Sequence, residues 1–259
     1  MFTGFPTNTV ILIVVAMIGI AAGSWFSLSQ ALRRISSTQP IKRIWHWGIA
    51  ILLITWFLIR LILTATAPDG VVLGTPFIVT FLGLGLLAGV LPLLISPVFR
   101  QMVRAVPETW LVGIHTIRIG GFLFLALLDM NLLPAEFALP AGYGDVTVGL
   151  LAPVMVYLLA TRNPHARRFL MGWHAVGLLD LIVALITGTT YIAPFATQLA
   201  ASGTSLHYLN YVLIVPSFGV PLLALLHIYS LFQMFSSPAE RTQQKFQASF
   251  RAAEERSTR

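Results

Sequence analysis

Seven long apolar segments divide this chain, and the loops between them alternate between basic loops and loops without Lys or Arg. Each segment has about the 20 residues that an apolar helix needs to cross a bilayer. A chain in lipid must satisfy its own backbone hydrogen bonds, which a helix does within one segment. The pattern predicts an all-α transmembrane bundle of seven helices, at roughly 9–31, 44–66, 75–97, 109–129, 144–161, 169–189 and 208–234.

The distribution of basic residues predicts how this bundle is oriented. Fourteen of the sixteen Lys and Arg residues lie in every second loop or in the C-terminal tail, and the other loops have none. Basic residues in short loops stay in the cytoplasm. We therefore predict that the N-terminus lies outside the cell and the C-terminus in the cytoplasm. The first segment is interpreted as a true span, because the MFTGFPTN before it lacks the positive charge of a signal peptide.

The composition supports a lipid environment and excludes several classes of protein. The chain is 57% hydrophobic and 10% charged, whereas soluble domains carry about 25% charged residues. Its net charge of +7 comes from the basic loops, so we expect the lipid bilayer and no nucleic acid as partner. The absence of Cys excludes disulfides and thiolate metal ligands. Both lysines, Lys42 and Lys245, lie outside the spans, which excludes a retinal Schiff base.

Two further features concern the ends and the packing of the bundle. Residues 1–235 are predicted to form the membrane domain, and 236–259 a basic cytoplasmic tail. The tail begins with a helix-capping pattern at Ser237, so a short helix on the membrane surface is expected. The Gly85-x-x-x-Gly89 motif predicts close contact between helices. The VPSFGVP sequence (215–221) is predicted to kink or unwind the seventh helix.

Arg60, Arg118, Asp145 and Asp180 place formal charges within the predicted spans, where charges are costly. Counted from the basic loops at about 1.5 Å per helical residue, Arg118 and Asp180 lie about 16 and 18 Å deep. By the same count Arg60 and Asp145 lie about 25 Å deep, near the outer face. The shared depths predict a direct contact between Arg118 and Asp180. They also place Arg60 and Asp145 together at a second level.

These charges have two interpretations. In the first they are ion pairs that only hold the bundle together. In the second, which is functional, Arg118 binds an anion or sets the local charge, and Asp180 is its counter-ion and a proton carrier. Asp145 and Arg60 would then form an outer gate. Asp145 has a third interpretation, because it follows Pro140-Ala-Gly-Tyr-Gly and could cap the fifth helix.

Four histidines, each on a different span, form a second group: His46, His115, His174 and His227. His115 lies three residues before Arg118 and is expected on the same helical face, lining the same site. Facing histidines can hold haem iron or zinc, and His174 and His227 are the candidates for such a site. No HxxxH or ExxH pair occurs, so we expect no cofactor.

Three stretches of the second half resemble a group of bacterial multi-pass inner-membrane proteins known as uncharacterised sequences. They are LPAEFALPAGYGDVTVGLLAP from Leu133, WHAVGLLDLIVALITG from Trp173 and VLIVPSFGVPLLALLHIYS from Val212. The resemblance implies a bacterial inner-membrane setting and assigns no activity. It includes Asp145 and Asp180 without giving either a role.

The sequence therefore favours a protein that is not an enzyme. It predicts binding of a small polar or anionic molecule, or of protons, in a charged cavity within the membrane, for transport or sensing. The alternative is a membrane-embedded redox protein or enzyme that uses the histidines with haem or a metal. A purely structural subunit is the third hypothesis.

Overall fold

A computed structural model describes residues 7–68, 74–203 and 206–236, and every regular element within these ranges is a helix. Seven helical segments are long and apolar enough to cross a membrane, as the sequence predicts. These are numbered spans 1 to 7, with the bounds Asn8–Arg34, Gln39–Ala65, Thr75–Ile95, Glu108–Asp129, Ala135–Ala160, Ala166–Ala201 and His207–Phe235. The predicted tail helix, after Ser236, lies outside the described residues.

Spans 5 and 6 are longer than predicted. Span 5 begins at Ala135 rather than at 144, and Pro140 lies within it. Asp145 is therefore inside a helix, and its interpretation as a helix cap is wrong. Span 6 continues to Ala201 rather than ending at 189. The threonine hydroxyls within it donate to carbonyls one turn earlier, as Thr187 does to Val183 at 2.8 Å.

A short helix, Pro97–Ala105, joins spans 3 and 4. It begins at a Pro, and the hydroxyl of Ser96 accepts a hydrogen bond from the Phe99 amide at 3.2 Å, which caps the first turn. Phe99, Met102 and Val103 are buried on one side of this helix. The helix therefore packs along the end of the bundle and does not cross the membrane.

Spans 4 and 7 are not uniform α-helices. Span 4 changes to a 3₁₀-helix and back, and span 7 contains a π-helical turn at the predicted VPSFGVP site. The predicted local unwinding of span 7 is confirmed, whereas no sequence signal marked the 3₁₀ segment. The parts are Glu108–Gly113, Ile114–Gly121 (3₁₀) and Phe122–Asp129 in span 4, and His207–Val212, Val215–Gly219 (π) and Val220–Phe235 in span 7.

Span 7 forms the centre of the bundle. It packs against spans 1, 2, 3, 4 and 6, whereas span 5 packs against spans 4 and 6. Gly89 of span 3 lies so close to span 7 that an added methyl group would overlap Leu225, and its carbonyl accepts a hydrogen bond from the Tyr229 hydroxyl at 3.2 Å. The predicted glycine contact is confirmed. Large apolar side chains such as Ile44 and Leu94 are exposed, as expected of surfaces that face lipid.

The basic ends of several spans meet at one end of the bundle. Arg34, at the end of span 1, donates to the carbonyl of Ala105 before span 4 at 3.4 Å. Arg167, at the start of span 6, donates to the carbonyl of Met234 at the end of span 7 at 2.7 Å. The alternation of charge along the sequence thus corresponds to one basic end in the folded chain.

Candidate functional site

Spans 4, 5 and 6 bring together Arg118, Asp145 and Asp180, which we call the charge cluster. Arg118 Nε donates to Asp145 Oδ1 at 2.6 Å, and Arg118 Nη2 donates to Asp180 Oδ2. Arg118 Nη1 lies 3.4 Å from the Gly177 carbonyl oxygen and 3.3 Å from His227 Nε2. Every nitrogen of the guanidinium therefore has a partner from the protein itself. The predicted contact between Arg118 and Asp180 is confirmed.

The charge cluster is largely buried, and it contains two acidic side chains but one basic side chain. The side chains of Arg118, Asp145 and Asp180 are 1%, 16% and 8% exposed. With both carboxyls ionised, two negative charges face one positive charge. A proton on either carboxyl makes the cluster neutral. Because net charge is costly inside a membrane, protonation of one carboxyl would remove that cost.

The 3₁₀ segment sets the direction of the side chains from span 4. A 3₁₀-helix has three residues per turn, so residues three apart are eclipsed. His115 and Arg118 therefore point the same way, into the space between spans 5, 6 and 7, and both are buried. The prediction that the two residues share one face is confirmed.

Glycines on spans 5 and 6 provide the space that the polar side chains occupy. A methyl group added at Gly144 would overlap the Asp180 carboxylate, and one at Gly177 would overlap the His227 ring. At Gly149 it would overlap the backbone of span 4 next to Arg118. Close approach of this kind requires glycine. The site is thus shaped by residues that carry no functional group.

Asp145 does not share a site with Arg60, so the predicted outer pair is wrong. Asp145 binds Arg118 instead. A count of residues along a helix gives depth but not the direction in which a side chain points. The 3₁₀ rise of about 2.0 Å per residue also carries Arg118 roughly 2 Å deeper than an α-helix would. This shift makes up only part of the roughly 9 Å between the depths counted for Arg118 and Asp145.

Arg60 is fully buried in a different environment. Its Nε donates to Ser217 Oγ at 2.6 Å, in the π-helical turn of span 7. Its guanidinium carbon lies 4.7 Å from the centre of the Phe77 ring and 5.8 Å from that of Phe81. Neither Nη1 nor Nη2 has a hydrogen-bond partner. Within the described part of the chain, Arg60 is thus held by one hydroxyl and two aromatic faces.

Three of the four histidines form a cluster beside Arg118. The rings of His115 and His227 lie with their centres 4.0 Å apart, and Trp173 packs against both. His174 Nδ1 and His227 Nδ1 are 2.7 Å apart, which is a hydrogen bond between the two rings. Neither ring nitrogen of His115 has a hydrogen-bond partner among the described residues. His115 therefore packs in this cluster through its ring faces.

The histidine cluster does not have the arrangement of a metal site. In residues 7–68, 74–203 and 206–236, no group of three or more His, Asp or Glu side chains could hold a metal ion. The nitrogens of His174 and His227 that face each other are already hydrogen-bonded. His46 lies apart, against Trp25 and Trp47. The geometry favours hydrogen bonding over metal ligation for these imidazoles.

Two residues of the site were not among the sequence candidates. Ser230 Oγ lies 2.9 Å from His174 Nε2 and donates to Glu108 Oε1 at 3.2 Å. Glu108, an acidic residue at the start of an apolar span, was visible in the sequence. Ser230 carried no signal, because its spacing of three from His227 is common in any helix.

An apolar cavity of about 280 Å³ lies between spans 1, 2, 3 and 7. Its lining includes Trp45, Trp56, Gly85 and Leu225, and none of the candidate site residues. The cavity is therefore separate from the charge cluster.

Comparison with known proteins gives a family for the part of the chain that contains the charge cluster and the histidine cluster. The profile of a family described as a domain of unknown function, DUF8737, matches residues 75–235. The chain belongs to the DUF8737 family. The match begins with span 3 and ends with span 7, so it includes the charge cluster and the histidine cluster but not Arg60. The expectation of an uncharacterised family is confirmed. No curated protein and no solved structure gave a significant match.

Proposed function

We propose that this protein binds and releases a proton at the charge cluster, as the proton-binding part of a transporter or sensor in the bacterial inner membrane. The observation that carries the proposal is the binding of one guanidinium, that of Arg118, by two carboxylates, those of the half-buried Asp145 and the buried Asp180. Ionisable groups at such depth commonly belong to proton relays and ion paths. With both carboxyls ionised the cluster has a net negative charge, and the uptake of one proton removes it.

A proton suits this site better than an anionic ligand. An anion would need donors of Arg118, but Nε, Nη1 and Nη2 already have partners. To bind Arg118, an anion would have to displace the carboxylate of Asp145 or Asp180, and each of these is fixed to a span. A proton needs neither a free donor nor space. We therefore choose protons among the ligands that the sequence allowed.

The orientation proposed is N-terminus outside and C-terminus in the cytoplasm. The basic end at which Arg34 and Arg167 meet neighbouring spans supports it, because basic ends stay on the cytoplasmic side. The basic end is also where Glu108 begins span 4. The resemblance of the second half to bacterial inner-membrane proteins supports the location.

Transport and sensing both require the cluster to have two states. The two irregular helical segments support such a change, because 3₁₀ stretches within helices and π-helical turns often occur at hinges and functional sites. The 3₁₀ segment carries Arg118, and the π-helical turn lies in span 7, two turns before His227. A shift of either segment would change the contacts of the guanidinium.

Infrared difference spectroscopy of the purified full-length protein tests the proposal. A carboxyl group shows a C=O stretching band only when protonated, so titration from alkaline to acidic pH should reveal a band from the charge cluster. We expect Asp180→Asn to remove or shift this band. Asp129→Asn, a change at the exposed end of span 4, is the matched control and should leave it in place. A wild-type spectrum without any band that responds to Asp180→Asn or Asp145→Asn would reject the proposal.

A further inference from the structure

A continuous line of hydrogen bonds leaves the charge cluster on its His227 side. Arg118 Nη1 is 3.3 Å from His227 Nε2, and His227 Nδ1 is 2.7 Å from His174 Nδ1. His174 Nε2 is 2.9 Å from Ser230 Oγ, which is 3.2 Å from Glu108 Oε1. We call His227, His174, Ser230 and Glu108 the histidine network. It joins spans 4, 6 and 7.

The two ends of this line determine where its protons lie. A guanidinium only donates, so His227 Nε2 accepts from Arg118, and Nδ1 of the neutral His227 ring carries the proton. That proton is donated to His174 Nδ1, so His174 carries its own proton on Nε2 and donates it to Ser230 Oγ. Ser230 then donates to the Glu108 carboxylate. Every donor in the histidine network therefore points away from the charge cluster and towards Glu108.

The histidine network connects the charge cluster, in the interior, with one end of the bundle. His174, His227 and Ser230 are 0–1% exposed, so no bulk water reaches these three side chains. Glu108 is half-buried and lies in the first turn of span 4. Gly177 makes room for the His227 ring. A proton that crosses these groups would thus pass from the charge cluster to the basic end of the protein.

We infer that the histidine network is the path by which the charge cluster exchanges its proton with the end of the bundle where Glu108 lies. The inference rests on the proposed function and adds the route and the side of access. Groups of this kind relay protons in other membrane proteins.

The transfer is balanced at every step. A carboxylic acid of the charge cluster gives its proton to His227 Nε2, and the Nδ1 proton of His227 moves to His174 Nδ1. The Nε2 proton of His174 moves to Ser230 Oγ, and the Ser230 hydroxyl proton moves to Glu108 Oε1. One carboxyl of the cluster has lost a proton and Glu108 has gained one. The same steps in reverse bring a proton in from Glu108 and restore the starting arrangement.

Arg118 controls the inner end of the path. It cannot itself relay a proton because a guanidinium stays protonated in proteins. Asp180 and His227 contact adjacent nitrogens of the same guanidinium, so transfer between them requires Arg118 Nη1 to leave His227 Nε2. The separation at this point is 3.3 Å, and those along the rest of the line are 2.7–3.2 Å. His115, whose ring lies against His227, is the other titratable group that faces this step.

The test is the rate at which the charge cluster gains a proton after a sudden acidification. Full-length protein in detergent is mixed with a photolysable caged acid, and the carboxyl infrared band of the cluster is followed after a flash. Ser230→Ala removes the one hydroxyl that joins His174 to Glu108. We expect it to slow the rise of the band by about tenfold or more, with the same final amplitude. Glu108→Gln, at the half-buried outer end, should slow it too.

Ser24→Ala is the matched control, because Ser24 is buried in span 1 and its hydroxyl has no hydrogen-bond partner in the described part of the chain. It should keep the wild-type rate. Wild-type rates in both Ser230→Ala and Glu108→Gln would overturn the path while leaving proton binding intact. A wild type without a carboxyl band that responds to Asp180→Asn would instead overturn proton binding and the path together.

Discussion

Arg118 binds Asp180 across the interface between spans 4 and 6, and the same guanidinium holds a second carboxylate from span 5. One cation therefore compensates two acids on two different helices. Such an arrangement links the three helices electrostatically, because a change at any one group alters the charge balance of the other two. This link should appear as coupling between the three residues in the free energy of unfolding.

A double-mutant cycle on Arg118 and Asp180 should show strong coupling. Arg118→Leu leaves two carboxyls without a cation and should lower the free energy of unfolding by about 3–5 kcal/mol. Asp180→Leu leaves a one-to-one pair with Asp145 and should cost less. In the Arg118→Leu background, Asp180→Leu should lower the free energy of unfolding by less than it does in the wild type, since no ion pair remains to be lost. Thermal unfolding in detergent gives the coupling, expected at about 0.5–3 kcal/mol. Strictly additive effects would contradict the contact.

Gly144 should be sensitive to the smallest side chain. A methyl group there would overlap the Asp180 carboxylate, so Gly144→Ala should destabilise the protein by about 1–3 kcal/mol and disturb the carboxyl band. Gly172→Ala on span 6 is the control, because nothing lies within 4 Å of its added methyl. It should be neutral or gain up to about 1 kcal/mol from helix propensity. Equal effects of the two substitutions would show that Gly144 does not shape the site.

The sequence alone predicts the seven spans and one contact of the site, that between Arg118 and Asp180. The apolar segments and the basic loops each indicate the same seven helices, because both follow from the cost of placing polar groups in lipid. Equal depth on spans 4 and 6 was enough to predict the contact of Arg118 with Asp180. The π-helical turn was signalled by Pro216 and Pro221, since a proline inside a helix removes a backbone donor.

The rest of the site depends on directions that depth cannot give. Asp145 was assigned to Arg60 because both lie near the outer face, yet it points towards span 4. The sequence places the histidines on different spans, but the contacts of His115, His174 and His227 depend on the rotation of three helices. The 3₁₀ segment that aligns His115 with Arg118 contains no Pro and left no mark in the sequence. Tertiary packing decides these features.

His115 and His227 should respond differently to the same change. Both nitrogens of His115 are buried without partners, so His115→Phe keeps the ring contacts and removes unsatisfied polar atoms. We expect no loss of stability. His227→Phe leaves Arg118 Nη1 and His174 Nδ1 without this partner and should cost about 1–3 kcal/mol. Melting temperatures of the two variants check this, and a larger loss at His115 would reveal a partner that the fold does not explain.

The orientation can be checked with reporter fusions. A reporter joined after Arg43, Arg104 or Arg168 should be active on the cytoplasmic side, and one joined after Asp69 or Ser202 should be active outside. The reason is that the first group of loops is basic and the second has no Lys or Arg. The sites supply an internal control: Arg104 and Arg168 are separated by spans 4 and 5 and must share a side, whereas the other neighbouring sites are separated by one span and must differ. Two successive loops on the same side would contradict seven membrane crossings.

Ser217 should matter because it is the hydrogen-bonding partner of a buried cation. Arg60 has its Nε bonded to Ser217 Oγ, and its other two nitrogens lack hydrogen-bond partners. Ser217→Ala therefore leaves a buried guanidinium held by the faces of Phe77 and Phe81 alone. A hydrogen bond to a charged group is worth about 1.5–3 kcal/mol, and we expect a loss of this size in the free energy of unfolding. Ser24→Ala deletes a buried hydroxyl that has no hydrogen-bond partner among the described residues, so it should cause no comparable loss of stability. If Ser217→Ala behaved like this control, the π-helical turn would not be what holds Arg60 in the membrane.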